Sequence, residues 1–177
     1  MENQTTTTRT ALKWGIIGGI ISIVFTVISK FFQNTIQPSI GLSISIFTGM
    51  AILASMILIY AMKDYKKQNS GFMSFGEGLG IGTLSGAIYG LLTGAFQLFY
   101  TKFIDDSELK TQINKMREQM ENQNATESQI QTSESIISFM KNPNVLFILS
   151  VLISILIGFL FSLIIAAIIK KDKSVFE

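Results

Sequence analysis

The sequence predicts an all-α, polytopic membrane protein with four transmembrane helices and an extracytoplasmic helical hairpin insert between helices three and four. Only 15% of the 177 residues are charged, against roughly 25% in soluble domains. Four long windows contain no Asp, Glu, Lys or Arg: Trp14 to Ser29, Phe31 to Met62, Gly78 to Thr101, and Asn144 to Ile169. Because about 20 apolar residues cross a hydrocarbon core about 30 Å thick, each window approaches or exceeds the length of one span.

The residue types that are missing exclude several classes of site. The chain has no cysteine and no histidine, which excludes disulfides, thiolate metal sites and catalysis by either residue type. The net charge of +2 is too small to indicate a nucleic-acid partner. We therefore predict no cofactor and no metal, and the expected partner is the lipid bilayer.

The four spans are predicted at residues 14–32, 40–62, 78–101 and 143–169 of a single domain covering residues 1–177. The first follows Arg9 and Lys13, as a signal peptide would, but its apolar run is long and no small-x-small cleavage site follows. It is therefore predicted to be an uncleaved span. The fourth has a clear start, because Asn142 can cap a helix whose first position suits Pro143.

The basic residues predict the orientation. Eight of them lie in three short segments that four spans place on one side: Arg9 and Lys13; Lys63, Lys66 and Lys67; and Lys170, Lys171 and Lys173. The connection between the first two spans has Lys30 only at its edge. Since Lys and Arg concentrate in cytoplasmic loops, we expect both termini in the cytoplasm and residues 102–142 on the opposite side of the membrane.

Small residues recur at every fourth position in two of the spans. The glycine column of span three and the serine column of span four comprise, respectively, Gly78, Gly82, Gly86, Gly90 and Gly94, and Ser150, Ser154, Gly158, Ser162 and Ala166. Glycine inside a helix in water costs roughly 1 kcal/mol relative to alanine, but in lipid small residues allow helix backbones to approach closely. We predict that these two columns pack against each other, within one chain or between two chains.

Spans one and two carry other sets of small residues. Gly15, Gly19, Ser22, Thr26 and Ser29 alternate spacings of four and three, a seam that favours a left-handed crossing of about +20°. Gly41, Ser45 and Gly49 form a shorter set in span two. We interpret that set as ordinary membrane-helix composition rather than as a packing surface.

The start of span three offers one candidate binding residue. Ser74-x-x-Glu77 fits a capping box, in which the two side chains bond reciprocally to each other's amides. The alternative is a carboxylate that binds a proton, cation or substrate, but ionisable groups are functional suspects mainly deeper in a span. We favour the cap. The glycine-rich stretch lacks the spacing of a phosphate-binding or dinucleotide-binding loop.

Residues 102–142 form the one sizeable aqueous segment. Two apolar stripes at helical spacing predict a hairpin of two helices: Leu109, Ile113, Met116 and Met120, then Ile130, Ile136, Ile137 and Met140. The stripes would bury each other, although docking of a partner or a helix lying on the membrane surface remains an alternative.

Three stretches carry a resemblance to a known family: "GFMSFGEGLGIG" (Gly71 to Gly82), "FYTKFIDDSELK" (Phe99 to Lys110) and the ending from "FMKNPNVLF" to "IIAAIIKK" (Phe139 to Lys171). The chain resembles small bacterial membrane proteins classed as a domain of unknown function. The resemblance implies four inner-membrane spans with an extracytoplasmic insert before the last, and it implies no activity. Where relatives tend to read "GEAF", this chain has Gly76-Glu77-Gly78-Leu79, which extends the glycine column.

Three functional hypotheses follow. We favour a non-enzymatic scaffold or accessory subunit that binds a protein partner, or a second copy, through the 102–142 insert or through the glycine columns. The alternative is a small transporter or channel component acting as an oligomer, with a polar path lined by Ser22, Thr26, Ser29, Ser150, Ser154 and Ser162. A membrane enzyme would have to use Glu77, Asp64, Asp105, Asp106 or lysines, whose arrangement specifies no reaction, so we predict that the protein is not an enzyme.

Overall fold

The computed structural model describes residues 6–32, 40–122, 126–140 and 142–173, and they form six helices. These are α1 (Thr7–Phe32), α2 (Ile40–Gln68), α3 (Phe75–Phe103), α4 (Ser107–Asn122), α5 (Glu127–Met140) and α6 (Pro143–Ile169). Four of them, α1, α2, α3 and α6, are long and apolar enough to cross a membrane. Within the described ranges, the extended pairing is limited to one isolated bridge between Met73 and Lys171. The prediction of an all-α chain with four span-length helices is confirmed.

Three of the long helices extend beyond the predicted spans. α1 begins at Thr7 rather than at residue 14, α2 continues to Gln68, and α3 runs from Phe75 to Phe103. A helix satisfies its backbone hydrogen bonds internally, so it has no reason to end where the hydrocarbon core ends. The added turns carry most of the charged side chains at these helix ends, which is where a bilayer exposes them to water or lipid headgroups.

The chain divides into two compact units. Unit 1 comprises the described residues up to Thr93 and from Val151 onward, and unit 2 is Gly94–Ser150. The core of unit 1 is formed where α2, α3 and α6 meet near one end, from Leu58, Ala61, Met62, Tyr65, Met73, Ile81, Ile165 and Ala166. Unit 2 contains α4 and α5, and Ile113 and Ile137 are its buried apolar side chains among those described.

Large apolar side chains cover the outside of the long helices. Phe47 and Ile168 are each 77% exposed, and Ile20 of α1 is about half exposed. A soluble monomer rarely exposes apolar patches of more than a few hundred Å². Such a surface fits lipid as the solvent, as the charge-free windows predicted.

A tight turn ends α2. The amide of Gly71 donates to the carbonyl of Lys66 at 2.7 Å, five residues back, which is the bond of a Schellman cap. Ser70 and Gly71 both have positive φ, at 52° and 85°. The position of Ser70, just after the end of the helix, is normally occupied by glycine or asparagine, because a Cβ in the left-handed region costs roughly 1–2 kcal/mol.

Ser70→Gly is therefore expected to stabilise the protein by about 0.5–1 kcal/mol, the relieved strain being partly offset by the greater freedom of glycine in the unfolded chain. The midpoint of thermal unfolding in mild detergent should rise. Ser70→Ala keeps the Cβ and is the matched control, for which no rise is expected. A lower midpoint for the glycine variant would contradict the assignment of strain to this residue.

The start of α6 agrees with its prediction. The helix begins at Pro143, and the side-chain oxygen of Asn142 accepts a hydrogen bond from the Asn144 amide at 3.0 Å. The cap by Asn142 is confirmed. The Asn144 side chain in turn accepts from the Lys102 ammonium at 2.9 Å, which ties the last turn of α3 to the first turn of α6.

Candidate functional site

The glycine column of α3 lies against the serine column of α6 in unit 1. A Cβ added to Gly78 would lie 2.7 Å from the Cβ of Ala166. One turn further along, a Cβ on Gly82 would collide with the Ser162 side chain. These are contacts within one chain, and they leave no room for a side chain on α3.

Backbone meets backbone at the centre of this contact. A Cβ on Gly86 would lie 2.5 Å from the Ser154 carbonyl oxygen and 3.2 Å from the Cα of Gly158. Conversely, a Cβ on Gly158 would lie 2.6 Å from the Gly82 carbonyl oxygen. Gly90 continues the row, since its added Cβ would be 2.7 Å from the Cβ of Ser154. Neither helix could hold a larger residue here without moving.

In unit 2 the last pair of the two columns is also in contact. A Cβ on Gly94 would lie 2.6 Å from the Ser150 hydroxyl and 3.0 Å from a ring carbon of Phe147. The structure thus places all ten predicted residues in contact along the two helices. The contribution of these contacts to the stability of the protein remains a prediction.

The glycines of α1 pack differently from those of α3. A Cβ on Gly15 would lie 2.8 Å from the Cβ of Ile88, and one on Gly19 would lie 2.9 Å from a methyl carbon of Leu92. Here small residues receive large side chains of α3 instead of other small residues. Both glycines belong to the predicted seam of span one, but nothing in their spacing specified large partners.

The short set in α2 has no such neighbours. A Cβ on Gly41 or on Gly49 would meet nothing within 4 Å, and the Ser45 hydroxyl donates to the Gly41 carbonyl of its own helix. The interpretation of this set as ordinary composition agrees with these observations.

Glu77 is held by three hydrogen bonds at the start of α3. The Ser74 amide donates to one of its carboxylate oxygens at 2.7 Å, and the Glu77 amide donates to the Ser74 hydroxyl at 3.3 Å. The predicted capping box is confirmed. The other carboxylate oxygen accepts from the Tyr65 hydroxyl at 2.6 Å, and Tyr65 is 4% exposed. Glu77 therefore caps its own helix and also ties it to α2.

Asp64 occupies a similar position between α1 and α2. One carboxylate oxygen accepts from the Lys13 ammonium at 2.7 Å and from the Trp14 indole at 2.9 Å. The other accepts from the Gln68 side chain at 2.8 Å. The Trp14 ring also stacks on Tyr60, with ring centroids 6.1 Å apart. The ion pair, the indole bond and the stacked rings join the two helices at this end.

The C-terminal end of α6 is fixed by the last turn of α2 and by the connection that follows it. The Lys66 ammonium donates to the Ile169 carbonyl at 2.8 Å, where a cation is favoured by the helix dipole. Met73 and Lys171 exchange two backbone hydrogen bonds of 2.9 Å each. The Lys171 ammonium lies 5.2 Å from the centroid of the Phe72 ring, a cation–π distance.

These groups form what we call the polar end cluster: Lys13, Trp14, Asp64, Tyr65, Lys66, Ser74, Glu77 and Lys171. Both of its carboxylates use both oxygens to accept hydrogen bonds from protein donors, and these bonds link α1 to α2 and α2 to α3. Among the residues that the structure describes, no three His, Cys, Asp or Glu side chains are grouped to hold a metal ion.

Only part of the polar end cluster was predicted from the sequence. Glu77 was expected as a cap and Asp64 as an available acid, but no role was predicted for Tyr65 or Trp14. A usable signal was present, because Lys13 and Asp64 have opposite charges at two span ends that were predicted to lie on the same side. Tyr65 gave no such signal, since the sequence does not show which side of a helix end a hydroxyl faces.

Three of the six hydroxyls considered for a polar path donate hydrogen bonds within their own helices. Thr26 donates to the Ser22 carbonyl, Ser150 to that of Phe147, and Ser162 to that of Phe159, each at 2.8 Å. Their donors are therefore already used by carbonyls one turn back.

The comparisons with known proteins identify a family whose function is unknown. No curated protein and no solved structure matches the chain. A family described as protein of unknown function (DUF4199) matches residues 13–171, a range that includes both columns, the insert and the whole polar end cluster. The expected resemblance to a family of unknown function is confirmed, and the chain belongs to the DUF4199 family of proteins of unknown function.

Proposed function

We propose that the protein is a non-enzymatic scaffold or accessory subunit of the bacterial cytoplasmic membrane, with both termini in the cytoplasm. The observation that carries this proposal is the close contact between the glycine and serine columns. A span interior filled by backbone contacts forms a rigid helix pair and leaves no space for a substrate. Three of the hydroxyls that could line a path, those of Thr26, Ser150 and Ser162, donate to carbonyls of their own helices.

The charged groups of the polar end cluster support the same proposal. General acid–base chemistry needs a group that can exchange a proton with a substrate. The carboxylates of Asp64 and Glu77 instead accept hydrogen bonds from Lys13, Trp14, Gln68, Tyr65 and Ser74. A cation or substrate would have to displace these donors before it could bind either carboxylate.

The partner surface that we propose is the 102–142 insert, outside the membrane. It carries polar side chains that no helix of its unit covers, such as the exposed Asn114 and Gln119 of α4. A scaffold presents such a surface to an aqueous partner and anchors it to the bilayer through its spans.

Site-specific photo-crosslinking in cells tests this proposal. We expect a photoreactive amino acid at Asn114 or Gln119 to give a discrete protein adduct. The same group at Leu152 is the control, since that residue lies in the middle of α6 and is 58% exposed, and it should react with lipid alone. An adduct of twice the chain mass would identify the partner as a second copy. Finding no protein adduct at either insert position would contradict the proposal.

Transport is tested separately with the purified protein in liposomes. We expect fluxes of monovalent ions and of small polar solutes equal to those of protein-free vesicles. A flux that depends on the protein would show that the hydroxyls or the carboxylates serve a pathway, and it would overturn the scaffold proposal.

A further inference from the structure

Apolar side chains remain exposed at the two places where the insert joins its flanking spans. Four of them form what we call the junction patch: Phe103, 74% exposed, Ile104, 61%, Ile136, 49%, and Phe139, 58%. Unit 2 does have a buried interior, because Ile113 and Ile137 are 6% and 2% exposed. The junction patch is therefore apolar surface that the insert itself does not use for packing.

The hydrogen bond from Lys102 to Asn144 joins the last turn of α3 to the first turn of α6, and we take it as the level at which the two spans leave the hydrocarbon core. A lysine at a span end extends its ammonium group to the lipid headgroups, and here that group reaches the first turn of α6. Phe103 adjoins Lys102 in the chain. Phe139 lies in the last turn of α5, and α6 begins four residues later at Pro143. Both ends of the junction patch therefore adjoin the membrane boundary.

We propose that the junction patch is immersed in the lipid headgroup region, so that the C-terminal end of α5 is an interfacial segment of the bilayer. Exposed apolar side chains of the spans and of the patch lie on either side of the level set by Lys102 and Asn144. Phe99 of α3 is 53% exposed and Ile148 of α6 is 57% exposed, and both lie on the span side of that level. Lipid that covers those side chains also reaches Phe103 and Phe139.

The other half of α5 has a different character. Ser128, Gln129 and Thr132 are exposed and polar, and Thr132 lies almost in line with Ile136 and Phe139 on the same helix face. Seven residues of helix separate Thr132 from Phe139, which is about 10 Å along the axis. α5 thus enters the headgroup region at its C-terminal end and leaves it toward its N-terminal end. The polar residues of α4 remain available to an aqueous partner.

The absence of cysteine from the sequence makes this proposal testable with single-cysteine variants. We prepare Phe139→Cys and, as the matched control, Gln119→Cys of exposed α4, in nanodiscs of phosphatidylcholine that leave both membrane faces open to solvent. With a water-soluble maleimide, we expect Phe139→Cys to react about tenfold more slowly than Gln119→Cys, because lipid excludes the reagent and disfavours the thiolate. Unfolding in dodecyl sulfate should make the two rates equal. Equal rates in nanodiscs would overturn the proposal, since the patch would then face water.

Fluorescence gives a second readout that distinguishes lipid from burial in protein. Trp14 is the single tryptophan, so Trp14→Phe is the background for Phe139→Trp and Gln119→Trp. In nanodiscs of acyl-brominated lipid we expect the first variant to lose about half of its emission and the second almost none, because bromine quenches at contact with the immersed ring. Protection from the maleimide without quenching by brominated lipid would mean that protein covers Phe139, and it would also overturn the proposal.

Discussion

We expect Gly86→Leu to destabilise the protein by about 3 kcal/mol or more, the upper range for overpacking, because the new side chain would meet backbone atoms. The Cβ alone would lie 2.5 Å from the Ser154 carbonyl oxygen and 3.2 Å from the Cα of Gly158. Neither atom belongs to a side chain that could rotate away, so α3 and α6 would have to separate. The midpoint of thermal unfolding in mild detergent should fall by about 10 °C.

Gly80 provides the matched control in the same helix. A Cβ on Gly80 would meet nothing within 4 Å, so Gly80→Leu should keep or raise the midpoint, as the better helix propensity of leucine predicts. The smaller change to alanine is more discriminating still. Gly86→Ala should destabilise the protein and Gly80→Ala should stabilise it. The same substitution should therefore have opposite effects on stability at two positions six residues apart in one helix. Equal effects at both positions would show that the column contact contributes nothing specific to stability.

The parts of the fold that could be predicted depend on large energies or on fixed geometry. An unpaired charge inside lipid is so costly that four charge-free windows suffice to locate four span-length helices. A spacing of four residues on a helix of 3.6 residues per turn keeps Gly78 through Gly94 on one face. A face of small residues is expected to pack against another helix, and the equally spaced small residues from Ser150 to Ala166 were the matching surface.

The parts that could not be predicted depend on side-chain detail. Gly18 was absent from the predicted seam of span one, yet an added Cβ there would lie 3.4 Å from a methyl carbon of Ile57. Tyr65 gave no signal, because its bond to Glu77 depends on how α2 and α3 are rotated about their axes. The exposure of Phe139 and the burial of Ile137, two residues apart in one helix, likewise depend on packing that the apolar stripe alone does not specify.

The second large effect is expected at Glu77. Glu77→Ala removes the acceptor of the Tyr65 hydroxyl and the carboxylate half of the capping box. Tyr65 is 4% exposed, so its hydroxyl would be left without an acceptor in a buried position. An unsatisfied buried donor costs about 1–3 kcal/mol and a lost helix cap about 1 kcal/mol, so we expect a loss of about 2–4 kcal/mol. Glu118→Ala, at an exposed position of α4, is the matched control and should change stability by less than about 0.5 kcal/mol.

A double-mutant cycle with Tyr65→Phe tests whether the Glu77 carboxylate serves to hold Tyr65 or is kept to bind a cation or substrate. If Glu77 serves to anchor Tyr65, the two single changes overlap, and the double variant should be more stable than their sum predicts by about 1 kcal/mol or more. The buried phenylalanine ring needs no acceptor, so Tyr65→Phe should also lessen the damage done by Glu77→Ala. A carboxylate kept for a cation or substrate would behave in the opposite way. Its removal would leave the unfolding midpoint unchanged, and the two changes would be additive.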